Sequence, residues 1–175
     1  ESVYDGRFTF LLYRRMITDK LQKAINEQIT AELWSSNLYL AMSFFLARKG
    51  YPGMTIWMKK QALEEHGHAC KMAEYMIGRG GVVKLDKLDV VPNDFGTPLE
   101  IFKQVYDHEC RVSKMIDMLV DVASAEKDYA TQDFLWGFVR EQVDEEATAL
   151  SIVDMLKHAE SAGICLIDER LGQRA

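Results

Sequence analysis

The sequence predicts an all-α protein: a four-helix bundle with a long crossover between helices 2 and 3 and a short C-terminal fifth helix. Three observations carry this prediction. Apolar residues recur at three- to four-residue steps over long stretches, glycine and proline are scarce within them, and one central segment lacks helical period. With 11 glycines and 3 prolines in 175 residues, the chain has too few turn residues for an all-β sandwich.

The first two predicted helices form a hairpin. The stretch from Thr18 to Arg48 contains no glycine or proline, and its apolar residues repeat at helical spacing. Gly50 should end this helix, because glycine readily adopts the left-handed conformation of a helix C-terminus. Pro52 suits the first turn of the next helix, which we expect to end within the glycine-rich segment Gly78–Gly81.

The segment Val82–Gly96 connects this hairpin to a second one. It shows no helical period and contains proline, asparagine and glycine. A connection of this length in a compact domain usually has a functional role. Here it is long enough to run from one end of the bundle to the other, and this selects two antiparallel hairpins joined by a crossover.

The second hairpin begins with a clear start signal. Thr97–Glu100 reads Thr-Pro-Leu-Glu, a capping box with proline at the first helical position, and the third helix should extend to about Ala125. We expect the fourth helix to end near Ser161, with Gly163 as its stop. The apolar segment Ile164–Leu171 predicts a short fifth helix.

Charge and cysteine content restrict the function classes. The net charge of −6 disfavours binding to nucleic acid and to anionic membranes, and favours binding of cations. No stretch offers the roughly 20 apolar residues of a membrane-spanning helix. Three cysteines without a CxxC pair argue against a disulfide scaffold or a structural zinc site and favour a cytoplasmic location.

Residues 1–15 differ in character from the rest of the chain. They lack the basic start, long apolar core and small-residue cleavage site of a signal peptide. We expect them to be a non-native or flexible extension, with Met16 as the natural start and residues 16–175 as one domain. A native docking peptide is the alternative.

Each of the four long helices carries a glutamate in line with its apolar stripe, where an unpaired carboxylate is costly. The four are Glu32, Glu65, Glu109 and Glu145. His68 follows Glu65 by three residues, and Gln142 precedes Glu145 by three, so each pair shares one helix face. A glutamate from each of two helices, with an i,i+3 pair from each of the other two, is the plan of a dinuclear carboxylate site.

Four carboxylates bring four negative charges, which two divalent cations would cancel. Oxygen ligands with one imidazole suit iron or manganese better than zinc or copper. The alternative is that the glutamates are ordinary solvated charges on a purely structural bundle. Their occurrence on four successive helices favours the metal site, and outward-facing side chains would contradict it.

The chain resembles the haem-free bacterial ferritins from Met16 to about Leu171. The motifs that carry the resemblance are Asn26-Glu27-Gln28, Glu32-Leu33-Trp34-Ser35-Ser36, Glu64-Glu65 with His68, His108-Glu109, and Glu141-Gln142 with Glu145-Glu146. The resemblance implies a ferritin-like bundle that stores iron without haem. It implies ferroxidase activity, the oxidation of Fe(II) by dioxygen or peroxide, and a hollow shell of 24 subunits that holds the ferric mineral.

The resemblance also implies a dinuclear iron centre within each chain. Its first iron site would be formed by Glu32, Glu65 and His68. Its second would be formed by Glu65 as a bridge with Glu109 and Glu145, and with Gln142 nearby. A possible third iron site on the cavity side would fall on Glu64, Glu141, Asp144 and Glu145.

Three further positions can be compared with the family pattern, and two of them depart from it. Asp144 stands where family members tend to have a glutamate, so the third site would be looser. Tyr39 matches the tyrosine beside the dinuclear centre, where it could hydrogen-bond a ligand or give an electron; a plain core aromatic is the alternative. Trp136 lies one position before the family's tryptophan, which puts a redox role for it in doubt.

Related di-iron proteins supply the competing functions. Bacterioferritin, ribonucleotide reductase and rubrerythrin would be expected to carry a second ExxH motif on the fourth helix, where this chain reads Gln142-Val143-Asp144-Glu145. A fixed di-iron or di-manganese enzyme is one alternative, and the missing histidine counts against it. A DNA-protecting mini-ferritin is another, and the acidic net charge counts against that.

Overall fold

The structure, a computed structural model, describes residues 16–173. All regular secondary structure in this range is helical: α1 (Asp19–Lys49), α2 (Pro52–Gly78), α3 (Pro98–Ala125), α4 (Tyr129–Lys157) and α5 (Ser161–Gly172). α1 packs along α2 and α3 along α4, and the non-helical segment 79–97 joins the two hairpins. The predicted bundle, crossover and fifth helix are confirmed. The predicted extension, residues 1–15, lies outside the described residues.

The helix ends follow the signals in the sequence. The Thr18 side chain accepts a hydrogen bond from the Leu21 N–H at 3.3 Å, and Gly50 closes α1 in the left-handed conformation with φ of 85°. Thr97 and Glu100 form the predicted reciprocal capping box at the start of α3. Local chemistry therefore determines both ends of α1 and the start of α3.

The predicted end of the fourth helix is wrong. α4 ends at Lys157 with His158 as its C-cap, and α5 begins at Ser161, so Gly163 lies inside α5. Gly163 is not among the glycines with positive φ, and it therefore does not act as a helix stop. The break between the two helices comes before this glycine.

Tertiary contacts fix the position of α5. The buried Asp168 carboxylate accepts hydrogen bonds from the backbone N–H groups of Gly53 at 3.1 Å and Met54 at 2.8 Å. It thereby caps α2 from another helix, since the N-cap residue Tyr51 provides no side-chain hydrogen bond. A Cβ atom on Gly53 would lie 1.7 Å from the Asp168 carbonyl oxygen, so this contact requires glycine.

The crossover is attached to α1 by side-chain hydrogen bonds. The Asn26 amide donates to the Val82 carbonyl at 3.0 Å and accepts from the Lys84 N–H at 2.7 Å. Farther along, the buried Phe95 packs edge-on against Phe45 with ring centroids 5.6 Å apart. These contacts hold a segment without helical structure against the bundle.

One end of the bundle contains a compact polar network, which we call the end cluster: Tyr75, Arg79, Asp128 and Thr131. Arg79 and Asp128 form a bidentate ion pair, with N···O distances of 2.8 and 3.1 Å. Asp128 also caps α4 by accepting the Thr131 N–H at 3.0 Å. Burial raises the pKa of Asp128, but hydrogen bonds from Arg79 and Thr131, together with the charge of Arg79, outweigh burial and hold the pKa below its ordinary value.

The apolar core is divided in two along the bundle axis. One cluster draws on residues 38–46 of α1, and the other on residues 17–29. On each long helix, buried polar residues fall between the stretches that supply the two clusters; they include Glu32, Glu65, Glu109 and Gln142. No helix in residues 16–173 is long and apolar enough to cross a membrane.

Candidate metal centre

A layer of polar side chains crosses the bundle between the two apolar clusters. This central layer consists of Glu32, Tyr39, Glu65, His68, Glu109 and Gln142. The three glutamates are each no more than 3 % exposed, and Tyr39 and Gln142 are also buried. The glutamates therefore face inward, as predicted, and the interpretation as solvated surface charges is wrong for these three. Glu145 is half-buried.

The three residues predicted for the first iron site lie together in the structure. Glu32, Glu65 and His68 each offer one ligand atom, and these atoms lie within 4.8 Å of one another. Within residues 16–173 this is the one group of three or more histidine, cysteine or acidic side chains that meets that distance. Helical spacing brings Glu65 and His68 to one face of α2, and α1 supplies Glu32 from across the bundle.

One acceptor atom of this group lacks a donor, and the histidine makes only long contacts. Glu32 Oε1 accepts a hydrogen bond from Gln28 at 2.8 Å, but the buried Oε2 has no hydrogen-bond partner. His68 Nδ1 lies 3.4 Å from Glu65, and Nε2 lies 3.5 Å from Glu141. A buried carboxylate oxygen without a donor is costly, and a bound cation would remove that cost.

Glu109 is oriented by two neighbours. The Tyr39 hydroxyl donates a hydrogen bond to Oε1, and the Gln142 amide donates to Oε2 at 3.1 Å. Tyr39 thus lies beside the proposed centre as expected and is not a plain core aromatic. Gln142 contacts Glu109 through its N–H, so its amide positions a carboxylate in this structure.

The predicted second iron site is less completely assembled. Glu65, Glu109 and Glu145 act on one another electrostatically, but they do not form a second group within 4.8 Å in the described chain. Glu145 instead accepts a hydrogen bond from Gln61 at 3.0 Å. These three side chains would have to move to meet around one ion.

The residues predicted for a third iron site are dispersed. Glu64 and Asp144 are exposed, whereas Glu141 is half-buried and lies 3.5 Å from both His68 and Lys71. Trp136 is 45 % exposed on α4. Glu141 is in direct contact with the first group through His68.

Burial and mutual repulsion govern the protonation of the central layer. Burial, reinforced by the charge of Glu65, raises the pKa of Glu32 from 4.5 to about 8. Burial and then the charge of Glu109 raise the pKa of Glu65 to about 8 as well. Burial also raises the pKa values of Glu109 and of Tyr39. The layer therefore holds protons at neutral pH until cations replace them.

Several supporting residues have roles that the sequence motifs did not assign to them. Gln28 lies four residues before Glu32, so helical spacing could have identified it. Gln61 reaches Glu145 across two helices, and no local pattern signals such a pair. The buried His108 imidazole contacts the Ser35 hydroxyl at 2.9 Å, a pairing equally invisible in the sequence.

These features define a class of protein: four-helix bundles that carry a carboxylate-rich dinuclear metal site between their helices. The ferritin-like domain family matches residues 22–159. A bacterial non-heme ferritin of Bacteroides fragilis (strain 638R) is 65 % identical over 159 residues, which are 91 % of this chain and 100 % of that relative. A bacterial non-heme ferritin of Campylobacter jejuni is 34 % identical over 142 residues, 81 % of this chain and 85 % of the relative.

Solved structures agree with these relatives. The open pore ferritin from the hyperthermophilic archaeon Archaeoglobus fulgidus superposes with a TM-score of 0.89 at 41 % identity, over 91 % of this chain and 99 % of that one. The chain therefore belongs to the ferritin family and is similar to its non-haem bacterial members. The resemblance expected from the sequence motifs is confirmed.

Proposed function

We propose that this protein is an iron-storage protein with ferroxidase activity. It binds two Fe(II) ions per chain at the central layer and oxidises them with dioxygen or hydrogen peroxide. It then passes the ferric product to a mineral store. The observation that carries the proposal is the group of Glu32, Glu65 and His68 inside the bundle, in which an oxygen of Glu32 has no donor. The family likeness does not favour the fixed-enzyme and DNA-protecting alternatives.

Charge determines what this layer can bind. The strongest charges acting on Glu65 are those of Glu109 and Glu145, so the neighbouring acids repel one another when ionised. Two divalent cations would neutralise four carboxylates and displace the protons that the layer holds without them. Oxygen donors with one imidazole match Fe(II), and also Mn(II). We assign iron as the substrate because the relatives are ferritins.

Each residue of the layer has a role in this proposal. Glu32 and His68 would bind the first Fe(II), and Glu109 and Glu145 the second. Glu65 lies among them and would bridge the two ions. Tyr39, Gln142, Gln28 and Gln61 act from outside by holding the carboxylates in place, as partners of metal ligands commonly do.

In the redox step, electrons pass from Fe(II) to the oxidant. Two Fe(II) ions each lose one electron, and these two electrons reduce one dioxygen to peroxide, or one hydrogen peroxide to two waters. Hydrolysis of Fe(III) then releases protons, because water bound to Fe(III) is acidic. The protein brings two ions together, lowers their repulsion with carboxylates and keeps positions open for the oxidant.

A third iron site would provide the route out of the centre. The environment of Glu141 supports this third site. The buried Glu141 Oε2 has no hydrogen-bond partner and lies 3.5 Å from His68 Nε2. Of the other proposed ligands, Glu64 and Asp144 are exposed and Glu145 is half-buried. In this proposal iron moves from buried to exposed carboxylates on its way to the mineral.

Assembly completes the storage function. We propose a cytoplasmic homo-oligomeric shell of 24 subunits, as the family resemblance implies. Large apolar side chains exposed on the α1–α2 hairpin, such as Phe44 and Leu63, support burial against further copies of the chain. Nucleic acid, membrane and haem have no part in this proposal.

An aerobic Fe(II) titration of metal-free protein, followed by the near-ultraviolet absorbance of ferric-oxo species, tests the function. We expect a fast phase that saturates near two irons per chain, followed by slow continued uptake. Saturation at two without further uptake would indicate a fixed di-iron enzyme instead. Oxidation no faster than in buffer would overturn the ferroxidase proposal, and the same titration with Mn(II) would test the rival metal.

A further inference from the structure

A chain of three rings leads from the central layer towards the outer face of α1 and α3. The Tyr39 and His108 rings meet edge to face with centroids 5.8 Å apart, and the Trp34 and His108 rings are 5.7 Å apart. Both separations fall in the range of about 4.5–7 Å for rings in contact. At the inner end, the Tyr39 hydroxyl donates to Glu109. The path from a proposed iron ligand to Trp34 is therefore continuous.

The middle ring is held in a fixed position. His108 is buried, and its Nε2 lies 2.9 Å from the Ser35 hydroxyl. The imidazole lies one residue from Glu109, on the helix face turned towards α1. Nothing in the proposed iron chemistry uses His108, Ser35 or Trp34, although all three lie beside the layer.

The outer ring has an unusual environment. Trp34 borders a groove of about 570 Å³ between α1, α3 and the crossover, lined also by Lys87 and Arg111. Its indole N–H is buried and has no hydrogen-bond partner. Within the described residues, the other buried side-chain polar atoms without partners belong to Glu32 and Glu141, both at the metal centre. A buried indole N–H normally finds an acceptor, so a purely structural role explains Trp34 poorly.

We propose that Trp34 is a one-electron donor to the central layer, acting through His108 and Tyr39. The inference rests on the proposed ferroxidase function. It applies when a chain holds a single Fe(II), because that ion supplies one electron while hydrogen peroxide needs two for its reduction to water. The second electron leaves Tyr39, whose hydroxyl proton passes to Glu109 along their hydrogen bond. Trp34 then returns an electron to Tyr39, and the proton returns with it.

The step balances in atoms and charge. One Fe(II), one indole, one hydrogen peroxide and two protons give one Fe(III), one indole radical cation and two waters. A second such event, with addition of water, converts the indole to hydroxytryptophan, which carries one additional oxygen atom. Electron transfer weakens steeply with distance, so the unbroken ring contacts determine which tryptophan is oxidised.

The other two tryptophans serve as internal controls. Trp136 is 45 % exposed, so radicals that diffuse from solution would attack it readily. Trp57 is buried in an apolar cluster, with its ring 5.2 Å from Phe102. The proposal predicts that oxidation favours the half-buried Trp34 over the more exposed Trp136.

The test treats the assembled protein with less than one Fe(II) per chain and then with hydrogen peroxide, without dioxygen. Mass spectrometry of peptides measures the added oxygen on each tryptophan, and absorbance measures Fe(III) formation. We expect Trp34 to be oxidised at least fivefold more than Trp136. His108→Leu should lower Trp34 oxidation at least fivefold, whereas His108→Phe, which keeps a ring, should restore part of it.

A second readout separates electron transfer from structural damage. In freeze-quenched samples, electron paramagnetic resonance should show a tryptophan radical in the wild type and a longer-lived tyrosyl radical in Trp34→Phe. Equal oxidation of Trp34 and Trp136, or no effect of His108→Leu on Trp34 oxidation, would overturn the proposed electron relay. If Fe(III) still forms in that case, the ferroxidase proposal stands. Absence of Fe(III) formation in the wild type would overturn both.

Discussion

The end cluster and the central layer are both polar networks inside one bundle, and they differ in how their charges are neutralised. In the end cluster the protein supplies both signs, with Arg79 against Asp128 at 2.8 Å. In the central layer acid lies against acid, and a Glu32 oxygen has no donor. The first network is complete as folded. The second is complete only with protons or cations, which is what distinguishes a binding site from a structural contact.

The two networks also respond to pH with opposite sign. The pKa of Asp128 is held below its ordinary value of 3.8, so the end cluster stabilises the fold at neutral pH and loses this contribution as pH falls into the acid range. The pKa values of Glu32 and Glu65 are raised from 4.5 to about 8. The protonated layer therefore contributes stability at low pH that is lost as pH rises through 8.

The largest expected effect follows from removing the bridging carboxylate. Glu65→Gln keeps the shape of the side chain but removes its charge and one of its two ligand oxygens. We expect the initial rate of Fe(II) oxidation to fall at least about 100-fold, beyond what loss of an outer partner of a metal ligand causes. The metal-free variant should be more stable than the wild type at pH 8, because the repulsion on its neighbours is reduced.

Stopped-flow absorbance and urea unfolding measure the two effects of Glu65→Gln. Glu74→Gln is the matched control, since Glu74 is an exposed glutamate on the same helix. A variant that kept the wild-type rate would show that Glu65 does not bind the reacting iron.

The end cluster should respond in stability and not in activity. Asp128→Asn leaves Arg79 partly buried without its counter-ion, and we expect a loss of about 2–3 kcal/mol in the free energy of unfolding. The substituted asparagine can still cap α4. Thermal and urea unfolding check the loss, and Fe(II) oxidation at 25 °C should stay within twofold of wild type. An unchanged stability would mean that the ion pair is not what completes this cluster.

The stability of the metal-free protein should depend on pH through the central layer. Between pH 5 and 8 the folded central layer binds more protons than the unfolded chain, so the free energy of unfolding should fall as pH rises. The limit is about 1.4 kcal/mol per pH unit for each group involved. Saturation with Zn(II), as a redox-inactive substitute, should abolish or reverse the slope. A flat profile in the metal-free wild type would contradict the raised pKa values of Glu32 and Glu65.

The smallest expected effect comes from a supporting side chain. Gln28→Leu removes the 2.8 Å hydrogen bond to Glu32 without altering any proposed ligand. We expect metal affinity at the first site to fall about tenfold. Calorimetric Zn(II) titration measures this, and Gln22→Leu on the same helix provides a comparison variant outside the layer. Equal affinities of Gln28→Leu and wild type would show that Glu32 does not depend on Gln28 for its position.

Local chemistry made most of the fold predictable. The capping box at Thr97, the glycine stop at Gly50 and the inward-facing glutamates follow from spacing along single helices, and the structure contains all three. The end of α4 was not predictable in this way. α5 is held in place by Asp168, which caps a helix more than a hundred residues earlier in the chain.

Contacts between distant parts of the chain also limited the prediction of the site. Spacing identified the acids and His68 because each helix places them on its apolar stripe. It could not identify Gln61 with Glu145, or Arg79 with Asp128, because these pairs join residues 84 and 49 positions apart. Long-range polar pairs depend on packing that the local pattern does not encode.

Anomalous scattering from iron, in crystals loaded with Fe(II) without oxidant, would locate the bound metal ions. We predict two strong peaks per chain in the central layer, one among Glu32, Glu65 and His68, and one beside Glu65, Glu109 and Glu145. The end cluster should show none, since its charges are already paired. Iron peaks confined to exposed acidic side chains, with an empty central layer, would contradict the claim that this layer is the metal centre.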